Sequence, residues 1–232
     1  MSVELLELAA ARLGELLDEL VFVGGATVGL WITDPAAPEF RPTYDVDAIV
    51  EVSGREAYQD LERRLQSLGL RHDQESGVMC RFRDDQSDLI LDVMPTDASI
   101  LGFKNEWQSK AFPNAVPRVL PSGAEIAVVP PPFLLASKLE AFRGRGQGDL
   151  LGSKDMSDIV ALIDGREELF GEVAEAPEEL RSYVSAELRA LAGGPPFDLV
   201  VAAHLKPDPS SQERADLVVV PRIEQLVGLG AS

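Results

Sequence analysis

The chain has 232 residues, of which 45% are apolar and 26% charged, so it can fold as one large globular domain or two small ones. It contains no apolar run of the roughly 20 residues that a membrane-spanning helix needs, and its acidic start lacks the features of a signal peptide. With one cysteine and two histidines, an internal disulfide is excluded and a structural zinc site is disfavoured. We therefore expect a cytoplasmic protein whose metal, if it has one, is a hard ion held by carboxylates.

The net charge of −18 argues against broad binding to nucleic acid. Proteins that bind a phosphate backbone usually present a basic face. Acidity on this scale can also serve solubility alone, and it leaves room for a local basic pocket. The charge therefore lowers the expectation of an RNA substrate without removing it.

Helices and strands alternate in the first part of the sequence. Leucine and alanine at three- and four-residue spacing predict helices, whereas alternating β-branched residues predict strands. From the N-terminus onward, these patterns predict a helix over 3–19, a strand over 21–23, a short helix over 26–32, a proline-rich loop over 34–42, a strand over 43–52 and a helix that begins at Gly54 and ends at Gly69.

The next segments predict a β-hairpin and then a change to helices. The hairpin strands cover 77–83 and 88–95, and a further strand covers 123–130. Helices are predicted from Pro131 or Pro132, over 153–164 with Ser153 as the cap, over 176–194 and over 210–228. The order predicts an α+β lobe over residues 1–130 and a helical C-terminal lobe over 131–232.

Three aspartates stand at the edge of predicted apolar strands. Asp45 and Asp47 are two residues apart in a strand and project from one face, and Asp92 lies inside the apolar run "LILDVMP". If the two strands are neighbours, three carboxylates converge, and a divalent cation such as Mg²⁺ would offset their repulsion. The alternative is a solvated strand end. Asp88 and Asp97 compete for the third position, but both lie at turn or rim positions.

A glycine pair precedes the acids by about twenty residues. Gly24 and Gly25 let backbone N–H groups approach a phosphate without obstruction from side chains. A plain tight turn would also explain the pair.

Taken together, the strand, the Gly-Gly turn, the Asp-x-Asp pair and the later strand acid resemble the signature of the DNA polymerase β-like nucleotidyltransferase superfamily. The segments "VVPPPFLLASKLEAFRGRG" and "SKDMSDIVALID" resemble the AbiEii-type nucleotidyltransferase toxins, the toxin half of abortive-infection toxin–antitoxin pairs. The resemblance covers roughly residues 20–165. It implies a nucleotidyltransferase-like lobe with a mixed sheet and flanking helices.

The resemblance also implies roles for single residues. Asp45, Asp47 and Asp92 would bind Mg²⁺ or Mn²⁺, and Asp92 could help to deprotonate the acceptor hydroxyl. Gly24 and Gly25 would contact the phosphates of an NTP. The family often has a serine close before the acid pair, where this chain has Thr43 and Tyr44; Thr43 keeps a hydroxyl for the nucleotide site.

Within the second lobe, the resemblance implies that Lys138 reaches the triphosphate and that Asp155 is a further acid of the site. A lysine beside an apolar run can instead extend to water. Asp155 can instead favour the helix dipole, and we expect Asp158 to be structural. Arg143 and Arg145 form a basic patch that could bind a triphosphate or an RNA end, or could be a solvated helix end.

The sequence thus predicts a metal-dependent nucleotidyltransferase that moves a nucleoside monophosphate from an NTP to an acceptor hydroxyl. The resemblance favours an RNA or tRNA end as acceptor, a toxic activity and an antitoxin protein as partner. A small-molecule acceptor, as in antibiotic-modifying enzymes, suits the acidity better. A non-catalytic nucleotide-binding module and a globular protein with scattered acids are the remaining alternatives.

Overall fold

A computed structural model describes residues 2–39, 41–102, 105–145, 149–194 and 196–230. The chain divides into two compact units, neither of which is continuous in sequence. Unit 1 comprises Met1–Thr27 and Pro42–Pro130, and unit 2 comprises Val28–Arg41 and Pro131–Ser232. The chain therefore changes unit between residues 130 and 131, the position at which the sequence predicted a change of lobe. It also makes an earlier excursion into unit 2 over Val28–Arg41.

The described part of unit 1 is built on a seven-stranded mixed sheet. Its strands are β1 Leu20–Val23, β2 Val46–Val50, β3 Leu70–His72, β4 Arg81–Asp84, β5 Ile90–Pro95, β6 Val116–Val119 and β7 Glu125–Val128. They lie in the order β3-β4-β5-β2-β1-β7-β6. The pairs β2–β5 and β1–β7 are parallel, and the other neighbours are antiparallel. The predicted α+β class is confirmed at this level.

Helices flank the strands in the sequence of unit 1. They are α1 Ser2–Leu13, α2 Gly25–Val28 (in which the chain passes into unit 2), α3 Gly54–Ser67, α4 Ala98–Leu101 and α5 Glu106–Ala111, with 3-10 turns at Gly14–Glu19 and Phe112–Asn114. The helix predicted over 3–19 ends as an α-helix at Leu13, because Gly14 takes a positive φ of 53°. The helix predicted over 26–32 is wrong beyond Val28. Strands β3 and β6 and helices α4 and α5 were not predicted.

Alternation along β2 and β5 places the acids on the face opposite to the one formed by Val46, Ala48 and Val50. Val46, Ala48 and Val50 are buried on one face, and Val46 and Ala48 lie beside Leu91 and Val93 of β5. Tyr58 of α3 is buried, and its hydroxyl donates a hydrogen bond to the Val93 carbonyl oxygen at 2.8 Å. Burial raises the pKa of that hydroxyl well above its usual value. The acids of β2 and β5 point to the other face.

Unit 2 is helical in its described part. Its helices are α6 Pro131–Arg145, α7 Lys154–Gly165, α8 Leu169–Glu175, α9 Glu178–Ala192, α10 Phe197–Ala203, α11 Pro209–Arg214 and α12 Val220–Gly228, with a π-helical turn at Ala215–Val219. As predicted, α6 begins at Pro131, and the Ser153 side chain caps α7 by accepting a hydrogen bond from the Met156 backbone N–H. No helix in the described ranges is both long enough and apolar enough to cross a membrane.

The segment Val28–Arg41 is bound into unit 2 by the C-terminal end of α7. The backbone N–H groups of Thr33 and Asp34 both donate to the Gly165 carbonyl oxygen, at 2.8 and 3.0 Å. Arg214 joins Asp34 to Asp164 with ion pairs of 2.6 and 2.8 Å, and its hydrogen bond holds the pKa of Asp34 below the usual value. Trp31 is 1% exposed, and the Arg166 guanidinium lies over its ring. These contacts make the segment an integral part of unit 2.

Candidate functional site

The register of two parallel strands brings the predicted acids together. Asp47 of β2 and Asp92 of β5 are direct register partners, so their side chains project side by side from one face. Asp45 lies two residues before Asp47, directly ahead of β2. The sequence predicts that the three carboxylates converge if their strands are neighbours. In the structure, β2 and β5 are neighbours.

An arginine that the sequence analysis missed bridges two of these acids. Arg81 of β4 is the register partner of Asp92 on the side away from β2. Its Nε and Nη2 atoms each donate to one Asp92 carboxylate oxygen at 2.8 Å, and Nη2 also donates to Asp45 Oδ2 at 2.9 Å. The hydrogen bonds and charge of Asp92 raise the pKa of Arg81, so its guanidinium stays charged. The cluster of Asp45, Asp47, Asp92 and Arg81 is called the acid cluster below.

Gly24 is fitted closely to the acid cluster. Its φ is +83°, a conformation that favours glycine, and a Cβ atom at this position would lie 2.0 Å from Asp47 Oδ2. The Thr27 hydroxyl donates to the Gly24 carbonyl oxygen at 2.9 Å and closes the turn. The glycine pair is therefore more than a tight turn, because the absence of a side chain at residue 24 makes room for the Asp47 carboxylate.

Thr43 and Tyr44, directly before the acids, have opposite environments. Thr43 is 3% exposed, and its hydroxyl has no hydrogen-bond partner among the described residues. Tyr44 is 67% exposed. A buried hydroxyl without a partner costs stability unless a ligand or a water satisfies it. In sequence, Thr43 lies two residues before Asp45.

The charge of the acid cluster affects the thiol of Cys80, the only cysteine in the sequence. Cys80 is buried beside Arg81 in sequence. Burial, and then the charges of Asp92 and Asp47, raise the pKa of its thiol to about 12. The thiol is thus neutral at physiological pH.

The donor atoms of the acid cluster suit a hard divalent cation. Three carboxylates offer only oxygen ligands, and Gly24 keeps the Asp47 carboxylate clear of side chains. In the arrangement seen here, however, Arg81 lies between Asp45 and Asp92. Among the described side chains, no group of three or more His, Cys, Asp or Glu residues is arranged to hold a metal ion. The carboxylate oxygens are therefore ligands of the kind that Mg²⁺ prefers, but in this structure the cation that contacts them is the Arg81 guanidinium.

The competing acids do not join this cluster. The Asp97 carboxylate accepts a hydrogen bond from the Ser99 backbone N–H at 2.9 Å and caps α4, and hydrogen bonds to Ser99 lower its pKa. Asp88 is exposed. The prediction that both are turn or rim residues is confirmed.

Further along the same face, Arg83 lines a cavity of about 740 Å³ beside β3. Two ion pairs involve residues of its walls, Arg83–Asp73 at 2.8 Å and Arg71–Asp85 at 2.6 Å. The two arginines and two aspartates of these pairs carry no net charge together, so they do not give the cavity a charge of one sign. Nothing in the sequence pattern predicted this cavity, because β3 was not predicted.

The predicted residues of unit 2 form a second cluster of ion pairs. Lys138 of α6 places its ammonium 2.6 Å from Asp158 Oδ2 and 3.2 Å from Asp155 Oδ1, and Arg41 approaches Asp158 to 2.8 Å. The Asp158 side chain is fully buried, and that of Lys138 is 11% exposed. Lys138 therefore does not extend to water. The structural role expected for Asp158 fits these contacts, and Arg41 is the partner that the sequence did not reveal.

Arg143 contacts α9. Its guanidinium lies 2.8 Å from Glu187 Oε1 and over the ring of Tyr183, while 63% of the side chain stays exposed. Arg143 is thus largely solvated, as the alternative interpretation expected, and it also forms a specific ion pair with Glu187. The side chain of Arg145 and residues 146–148 lie outside the described part of the chain.

Replacing Lys138 by Met should destabilise the protein by about 3–5 kcal/mol, because two buried carboxylates would lose a shared cation. Lys154→Met, at an exposed position of α7, should change stability by less than about 0.5 kcal/mol. Urea unfolding followed by circular dichroism measures both. Equal stability of the two variants would show that the Lys138 ion pairs contribute nothing.

Comparison with known protein families and with curated proteins finds no match to this chain. A functional assignment therefore rests on the chemistry of the two clusters.

Proposed function

We propose that the chain is a metal-dependent nucleotidyltransferase that transfers a nucleoside monophosphate from an NTP to an acceptor hydroxyl. The observation that carries this proposal is the pairing of Asp47 with Asp92 on adjacent parallel strands, with Asp45 joined to Asp92 through Arg81 and Gly24 packed against Asp47. Carboxylates gathered this closely serve as ligands for hard cations that bind substrate phosphates. The resemblance of the surrounding sequence to AbiEii-type toxins points to the same chemistry.

In this proposal Asp45, Asp47 and Asp92 hold Mg²⁺ or Mn²⁺. The bound ion would supply Lewis acidity at the phosphate and lower the pKa of a bound hydroxyl. In the transfer, the acceptor oxygen forms a bond to the α-phosphorus, and the bond from that phosphorus to pyrophosphate breaks. Asp92 is the candidate to receive the proton of the acceptor hydroxyl. In line with the resemblance, Gly24 and Gly25 would contact the phosphates through their backbone N–H groups.

The roles of Lys138, Arg143 and Asp155 in nucleotide binding stay predictions of the resemblance. Lys138 and Asp155 are engaged with one another, and Arg143 is engaged with Glu187. A nucleotide would have to compete with these ion pairs for Lys138 or Arg143. The acid cluster is therefore the stronger basis for the proposal.

Two observations favour other candidates. The net charge of −18 suits a cationic small-molecule acceptor better than the RNA or tRNA end implied by the toxin resemblance, which would also bring an antitoxin partner. The Arg81 bridge occupies two of the three acids and favours a nucleotide-binding module without turnover. These candidates differ in what is labelled by an NTP and in whether turnover occurs.

A thermal-shift measurement with Mg²⁺ and each NTP tests the proposal. A ligand that binds only the folded state at a hundred times its Kd should raise the melting temperature by about 5–10 °C for a chain of this size. Incubation of labelled NTP with total RNA, or with hydroxyl-bearing cationic small molecules, then identifies the acceptor. Binding without transfer would favour the module, and no shift with any NTP would refute the nucleotide site.

A further inference from the structure

Arg81 holds the acid cluster more tightly than a surface ion pair would. Both oxygens of Asp92 are bound by the two nitrogens of one guanidinium, and the Asp92 side chain is only 9% exposed. The same Nη2 atom reaches Asp45. A planar guanidinium in this two-point geometry gives strong, directional hydrogen bonds, and partial burial shields them from water. Arg81 therefore supplies the positive charge that these acids require.

The position of Arg81 places it in conflict with a second cation. Its nitrogens occupy one oxygen of Asp45 and both oxygens of Asp92. A divalent cation shared by these carboxylates would need the same oxygens, and two cations sharing one set of ligands repel each other. Competition between them follows from charge and from the limited number of carboxylate oxygens.

We propose that Arg81 is the resident counter-cation of the acid cluster and that Asp45 and Asp92 bind a divalent cation only after its guanidinium has been displaced. This inference rests on the proposed function, because it presupposes that the acid cluster takes a metal. Arg81 is then a positioning residue that keeps Asp45 and Asp92 together and offsets part of their charge in the absence of metal. It sets the affinity for metal by the strength of its own hydrogen bonds.

Arg83 provides a matched control on the same strand. It lies two residues from Arg81, on the same face of β4, and forms a comparable ion pair with the buried carboxylate of Asp73 at 2.8 Å. Loss of either arginine removes an ion pair from a buried aspartate, although Asp73 keeps hydrogen bonds from the backbone N–H groups of Glu75 and Ser76. Only the loss of Arg81 should change the affinity of the acid cluster for a cation.

Titration of the full-length protein with Mn²⁺, followed by calorimetry and by electron paramagnetic resonance of the free ion, tests the inference without any assay of activity. Arg81→Gln should bind Mn²⁺ about 10- to 100-fold more tightly than the wild type, the range expected when a charge-assisted competitor is removed. Arg83→Gln should bind as the wild type does. Without metal, Arg81→Gln should melt at a lower temperature, and Mn²⁺ should raise that temperature by more than it does for the wild type.

Arg81→Lys keeps the charge and loses the two-point geometry, so it should show an intermediate Mn²⁺ affinity and allows the test even if the glutamine variant does not fold. Equal or weaker Mn²⁺ binding by the Arg81 variants, with wild-type binding abolished by Asp47→Asn, would overturn the inference and leave the proposed function standing. If no variant binds Mn²⁺ and no NTP shifts the melting temperature, the proposed function fails and the inference fails with it.

Discussion

Asp47→Asn should lower NTP-dependent labelling of the acceptor by at least about 1,000-fold while the protein stays folded. The change removes one negative charge and one oxygen ligand from the acid cluster, at the position beside Asp92 on the neighbouring strand. Replacing a residue that only orients a metal ligand typically lowers metal affinity or activity by about 10- to 100-fold. A larger loss of activity would therefore indicate that Asp47 itself binds the metal. Transfer of label from α-³²P-NTP measures the effect, and circular dichroism checks the fold.

Asp88→Asn is the matched control for this experiment. Asp88 carries the same charge and lies in the turn before β5, the strand that pairs with β2, but it is exposed and stands apart from the acid cluster. We expect this variant to keep wild-type labelling. Activity that survives in Asp47→Asn, or that is lost equally in both variants, would show that the acids have been assigned the wrong role.

Gly24→Ala should destabilise the protein by about 2–5 kcal/mol and should abolish labelling in whatever fraction folds. A left-handed conformation costs an alanine about 1–2 kcal/mol, and relief of the contact between its Cβ and Asp47 Oδ2 adds about 1–3 kcal/mol. The Asp47 carboxylate would have to move to relieve that contact. Urea unfolding and the labelling assay together separate the loss of stability from the loss of the site.

Gly123→Ala isolates the backbone contribution to this result. Gly123 has a φ of 89°, close to that of Gly24, but a Cβ there would meet nothing within 4 Å. This variant should lose only about 1–2 kcal/mol and should keep full activity. If the two alanine variants behave alike, the contact between residue 24 and Asp47 has no functional meaning.

That the three acids lie in or directly beside strands could be predicted from sequence, because it depends on local patterns. Alternation around Asp45 and Asp47 and the apolar run around Asp92 identified two strands, and side-chain direction follows from the period of a strand. That the strands are adjacent was an assumption. The parallel register that aligns Asp47 with Asp92 is a tertiary property, and it is known only from the fold.

The partners of the charged residues could not be predicted in the same way. Arg81 stands opposite Asp92 only if the hairpin pairs in one register, and a shift of one residue would turn it to the other face. Arg41 meets Asp158 across 117 positions of sequence, a separation for which no local pattern exists. Strand β3 has three residues and β6 has four, too short for alternation to be distinguished from chance.

The excursion of Val28–Arg41 into unit 2 limits how the protein can be dissected or recombined. A fragment that starts at Pro131 would lack Trp31, whose ring packs against Arg166. It would also lack Asp34, which pairs with Arg214 alongside Asp164. Conversely, a fragment that stops at Pro130 would carry Val28–Arg41, which belongs to unit 2, without the rest of that unit. Exchange of one unit with another protein would therefore require three junctions, at 27/28, 41/42 and 130/131, so a single crossover cannot exchange a whole unit.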